Sequence, residues 1–107
     1  MNILHNLPLQ ESETIEFKTS FNVETIESLV AFANAKGGSV YIGVSNIGAI
    51  AGVTVGVETI PQWINEIKSK TEPSLIPDAE IIEVDGKQIV VLSMTEFPIK
   101  PVSTKGR

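Results

Sequence analysis

The sequence predicts an α+β domain in which two main helices pack on a largely antiparallel mixed sheet, in the order β-α-β-β-α-β-β. Three observations predict it. Apolar residues recur at helical spacing in two stretches, Ile26, Leu29, Val30 and Ala33, then Ile60, Trp63, Ile64 and Ile67. The segments around them alternate apolar and polar residues or run apolar over strand-like lengths. Asp85-Gly86 separates two such segments, and that dipeptide supplies the two left-handed residues of a tight hairpin turn. Helices interspersed with hairpin-linked strands belong to the α+β class.

Residues 1–13 have no clear period, whereas 14–18 alternate, with Ile15 and Phe17 on one face and Glu16 and Lys18 on the other. Asn22 is placed to cap a helix over 23–36, and Glu24 lies in its first turn, where the positive end of the dipole favours a carboxylate. Gly37 supplies the left-handed residue that ends it. Residues 39–44 form the next strand, and Gly43 within it weakens the strand unless a neighbouring element or a ligand packs close to its backbone. Ser45-Asn-Ile-Gly48 reads as a turn, so 49–53 return as a hairpin arm. Thr59-Ile-Pro-Gln62 has the form of a capping box opening a helix over 60–71, which Pro73 closes. Strands over 79–84 and 87–94 follow. Ile89-Val-Val-Leu92 is apolar without alternation and so predicts a strand covered on both faces. The predicted core is Ile26, Leu29, Val30, Phe32, Val40, Ile42, Ile64, Ile67, Val90 and Leu92, and Phe32 and Trp63 read as core or near-core rather than as base-stacking platforms.

The 107 residues leave room for one domain. An apolar content of 42% with 20% charged residues fits a folded chain. The absence of cysteine excludes disulfides, thiolate metal sites and thiol nucleophiles. The single histidine, His5, sits in the leader, which argues against a Ser-His-Asp triad. No apolar run approaches the roughly 18 residues of a membrane helix, and no signal pattern follows Met1, so a cytoplasmic domain without membrane association is expected. The formal net charge of −5 and pI near 4.8 oppose a uniform phosphate-binding surface. The charge is uneven: Lys100, Lys105 and Arg107 follow Glu96 with no acid among them, while Glu11, Glu13 and Glu16 crowd the other end.

Three blocks stand in register: Glu11-Ser-Glu-Thr-Ile-Glu16-Phe-Lys18, Ala31-Phe-Ala-Asn-Ala-Lys-Gly-Gly38 and Val40-Tyr-Ile-Gly-Val44. Together they resemble the Schlafen-type AlbA domain, whose blocks read E-S-x-x-x-E-F-K, F-A-N-x-x-G-G and I-G-V. The resemblance implies one domain over residues 1–107, the front of a longer protein. It also implies a nucleic-acid-binding, DNA-binding module of a transcriptional regulator, with RNA as a second partner; a homodimer that places two basic ends on one side would reconcile the negative charge with DNA. Lys18, Lys36, Lys100, Lys105 and Arg107 are the cations expected at phosphate, and no cofactor is implied.

In Schlafen RNases the resembling motif contributes two glutamates to a metal-binding acidic cluster, completed by an aspartate after the I-G-V strand. Glu11 and Glu16, beside Lys18, are the matching candidates here, but Ser45 and Asn46 stand where the third acid is expected. Metal-assisted phosphodiester cleavage needs carboxylates to hold the cation, so the set is incomplete, and neither a catalytic nor a metal site is expected. Ala35-Lys-Gly-Gly38 is not a Walker A loop, because its glycines close a helix rather than open one. A residual RNase and a protein-interaction or dimerisation module are the alternatives.

Overall fold

The computed structural model describes residues 10–105; His5 and Arg107 lie outside the described residues. The elements are β1 (Ile15–Lys18), α1 (Val23–Asn34), β2 (Gly38–Ile42), α2 (Thr59–Lys70), β3 (Thr71–Glu72), β4 (Asp78–Val84), β5 (Lys87–Met94) and β6 (Ser103–Thr104). The main sheet has the order β1-β2-β5-β4, and β3 and β6 form a separate two-stranded ribbon. β1 and β2 run parallel, joined through α1, while β2–β5 and β4–β5 are antiparallel. The chain thus has the α+β architecture that the two periodicities and the hairpin turn predict.

Local chemistry explains the element ends. Asn22 Oδ1 accepts the N–H groups of Glu24 and Thr25 at 2.9 and 3.3 Å, and Thr25 Oγ1 accepts Asn22 N–H at 3.2 Å, a reciprocal cap. Gly37, at φ 85°, turns the chain out of α1 and donates its N–H to the Phe32 carbonyl at 2.8 Å. The start of α2 differs from the capping box. Thr59 Oγ1 accepts the N–H of Gly56 at 2.8 Å and so closes the turn before the helix, leaving the N-cap residue Glu58 without a side-chain bond. Asp85 and Gly86 both adopt positive φ and close β4 onto β5 with Val84 opposite Lys87.

The central position of β5 accounts for its unbroken apolar run. Val90 and Leu92 pack with Ile26, Leu29, Phe32, Ala33, Val40, Ile42 and Ile67 on the helical face, while Ile89 and Val91 pack with Phe17, Val44 and Val84 on the other. Val30 and Ile64 of the predicted core are only half-buried and pack at its margin. Trp63 is half-buried as well, with its ring stacked on Phe21 at 4.8 Å between centroids. The expected arm over 49–53 contracts to one antiparallel bridge, Val44–Ile50. Its backbone bonds then go elsewhere: Ala51 and Gly52 both donate to the Gly43 carbonyl at 2.8 Å, and Val53 donates to the Gln88 carbonyl at 2.9 Å.

Candidate functional site

Each of the three sequence blocks holds the fold together at a defined place. In the first, Glu11 Oε2 accepts the backbone N–H of Phe17 at 2.9 Å, satisfying a donor of β1 with a side-chain carboxylate. Lys18 pairs with Glu16 at 3.8 Å and with Glu24, in the first turn of α1, at 3.3 Å. In the second block Phe32 is buried against Gly38, where a Cβ would come within 2.6 Å of the ring. Asn34 forms two bonds with the backbone of Val102: its amide donates to the carbonyl at 2.8 Å, and its oxygen accepts the N–H at 2.7 Å. In the third block Gly43, at φ 107°, brings its backbone against that of Gly52, where a Cβ would meet Gly52 at 3.2 Å.

Of the acidic candidates, Glu11 is engaged with the Phe17 backbone and Glu16 with Lys18. Ser45, at the position of the expected third acid, holds its own turn by accepting Ala49 N–H on Oγ at 3.1 Å. Among the described residues no group of three or more His, Asp or Glu side chains is placed to hold a metal ion.

The cations separate into two places. Lys18 sits at the N-terminal end of α1, and Lys36 lies beyond its C-terminal end, with the 12-residue helix, about 18 Å long, between them. Lys100 and Lys105 belong with Lys36, because the Asn34–Val102 bonds pin the segment between them to the end of α1. Lys105 N–H also donates to the Lys70 carbonyl at 2.9 Å, and the β3–β6 ribbon joins this segment to the end of α2. The structure therefore adds Lys68 and Lys70 to the group. Sequence reading missed them, although two lysines in the last turn of a helix that precedes a proline were a visible signal. Three members are paired within the chain: Lys70 with Glu66 at 2.9 Å, Lys105 with Glu72 at 3.9 Å, and Lys100 with Glu96. Lys36 and Lys68 are exposed and form no ion pair among the described residues.

Comparison with known proteins gives these blocks a family. The sequence profile of the Schlafen, AlbA_2 family matches residues 11–107. The chain belongs to the Schlafen, AlbA_2 family. No curated protein matches it. Among solved structures, this AlbA_2 domain is similar to the N-terminal domain of a RecG-related protein of Nitrosomonas europaea, named as a candidate ATP-dependent DNA helicase. The TM-score is 0.78 at 23% identity, covering 96% of this chain and 76% of that one. It is also similar to the DIP2311 protein of Corynebacterium diphtheriae, with a TM-score of 0.68 at 17% identity. That match covers 90% of this chain but only 20% of the Corynebacterium chain. These likenesses show that the fold is shared. No described helix of the AlbA_2 domain is long and apolar enough to cross a membrane.

Tyr41 lies on the sheet face away from the helices, with its ring edge-on to Phe17 at 6.2 Å between centroids. Burial raises its pKa above the ordinary 10.0, and the negative charge of Glu80 raises it further. A raised folded-state pKa means that the native domain holds this proton more tightly than the unfolded chain. The resulting stability is complete below about pH 10 and is lost as pH climbs through the folded-state value. Tyr41→Phe is therefore expected to flatten the alkaline fall in urea stability. Tyr41 is the only tyrosine, so tyrosinate absorbance reports it directly. Ionisation of the folded domain at the free-tyrosine pH would refute the shift.

Proposed function

We propose that this AlbA_2 domain binds nucleic acid, DNA first, through the lysines gathered at the C-terminal ends of its two helices. The observation that carries the reading is the Asn34–Val102 clamp, which ties the segment bearing Lys100 and Lys105 to the end of α1 just before Lys36, while the Lys105–Lys70 backbone bond and the β3–β6 ribbon join it to the end of α2, in a chain whose overall charge is negative. Family membership and the helicase-related name of one structural neighbour support the same reading. Arg107 extends this group along the sequence. No cofactor or metal takes part. The setting we propose is the cytoplasm, as the DNA-binding module of a transcriptional regulator, with a homodimer presenting two such ends.

Phosphate contacts position a protein on the duplex without reading its sequence, and lysines are suited to that task alone. Each neutralised phosphate contributes about −0.9 to the slope of log affinity against log salt, and non-specific affinities lie at about 10⁻⁴–10⁻⁶ M. Three of the five lysines already face a carboxylate, so the slope is expected to be shallow. Lys36→Glu with Lys68→Glu is expected to weaken duplex binding at least tenfold by fluorescence anisotropy. Glu72→Gln with Glu96→Gln, which frees Lys105 and Lys100, is expected to strengthen it. Lys18→Glu, at the far end of α1, is expected to leave it unchanged. Absence of binding at low salt, or equal loss in all three variants, would replace this reading with an interaction module.

A further inference from the structure

The two edges of the main sheet are treated differently. At the β1 edge, Glu11 covers the Phe17 N–H. At the β4 edge, no described residue bonds the outward backbone. The pairing settles which groups those are. Gln88 gives its carbonyl to Val53, away from β4, so its partner Glu83 is not hydrogen-bonded to β5. Because bonded and unbonded pairs alternate along an antiparallel ladder, Ala79, Ile81 and Glu83 direct their N–H and C=O groups outward. Seven residues, without proline, form this open edge.

Charge and shape of the same edge select the partner. Asp78, Glu80 and Glu83 are all exposed along it, and Ile81 is 46% exposed at its centre. We infer that β4 accepts an extended protein segment as a fifth strand. The segment carries basic residues opposite Asp78, Glu80 and Glu83 and β-branched residues opposite Ile81 and Ile82. Backbone bonds to Ala79, Ile81 and Glu83 supply the affinity, and the alternating side chains supply the selection. Self-pairing is disfavoured because a second copy would bring three more carboxylates to the same edge, and nucleic acid is repelled there for the same reason. The phosphate-facing lysines and the acceptor edge are thus separate surfaces, and this inference stands whether or not the domain binds DNA.

The test uses the whole chain and a synthetic peptide, Thr-Lys-Val-Val-Lys-Thr-Lys, which places lysines opposite the three acids in the antiparallel register. Binding followed by amide NMR shifts is expected to perturb residues 78–84 and to weaken with salt. Glu80→Lys with Glu83→Lys is expected to reduce affinity at least tenfold, and a peptide with glutamates in place of lysines is expected to restore it. Ile81→Pro removes an outward N–H that the monomer does not use, so it is expected to leave the fold intact and abolish binding of both peptides. Shifts elsewhere, indifference to charge reversal, or binding retained by a folded Ile81→Pro chain would overturn the inference. Self-association through β4 that strengthens with salt would overturn it in favour of a second copy.

Discussion

Asn34→Ala is expected to lower the stability of the domain by about 3 kcal/mol in urea denaturation. The asparagine makes two hydrogen bonds to one residue, donating to the Val102 carbonyl and accepting from its N–H, and Val102 itself is buried. Removing the amide leaves both backbone groups without their partner, at about 1–3 kcal/mol each. Asn34→Asp is not expected to rescue the loss, because a carboxylate keeps the acceptor but sets a second oxygen against the Val102 carbonyl. If Lys100 and Lys105 act from their pinned positions, both variants will also weaken DNA binding without removing a positive charge. A loss under 1 kcal/mol would show that the β3–β6 ribbon holds the segment unaided.

The second large effect is expected at the paired glycines that follow α1. Gly37→Ala places a Cβ 2.7 Å from the Met94 carbonyl oxygen, on a residue whose φ of 85° already disfavours any side chain. Gly38→Ala places a Cβ 2.6 Å from the Phe32 ring. Overpacking of this kind costs about 1–3 kcal/mol, and the left-handed backbone adds about 1–2 kcal/mol at the first position. Gly37→Ala is therefore expected to be the more damaging, since its obstacle is a strand backbone. Only the second has a side-chain remedy: Phe32→Leu is expected to recover part of the Gly38→Ala loss in a double-mutant cycle. Additive costs there would place the strain elsewhere.

What the sequence made legible was whatever depends on neighbours along the chain. The Asn22 cap, the Gly37 exit, the Asp85-Gly86 hairpin and the buried Ile89–Leu92 strand all express local backbone preference or apolar pattern, and each appears in the structure. The β3–β6 ribbon was not legible, because two-residue strands carry no period. The capping box at Thr59 failed for a related reason: its hydroxyl had a nearer donor in Gly56. For the candidate site, the cations near the C-terminus were readable as charges, but their company was not. Nothing in the spacing of Asn34 and Val102 announces that they touch. The role of Glu11 was hidden in the same way, since its partner is a backbone N–H and not another side chain.

The separation of 68 residues between Asn34 and Val102 has a consequence for the order in which the molecule assembles. Closing so long a loop costs chain entropy that two hydrogen bonds cannot offset alone, so the clamp can form only once the sheet and α1 have brought its halves together. The lysine-bearing segment is then expected to arrive late and to open early, and its amides are expected to exchange with solvent faster than those of β5. A partly folded chain would carry every lysine and lack their arrangement, so the lysine surface depends on the closed clamp and not on the charges alone.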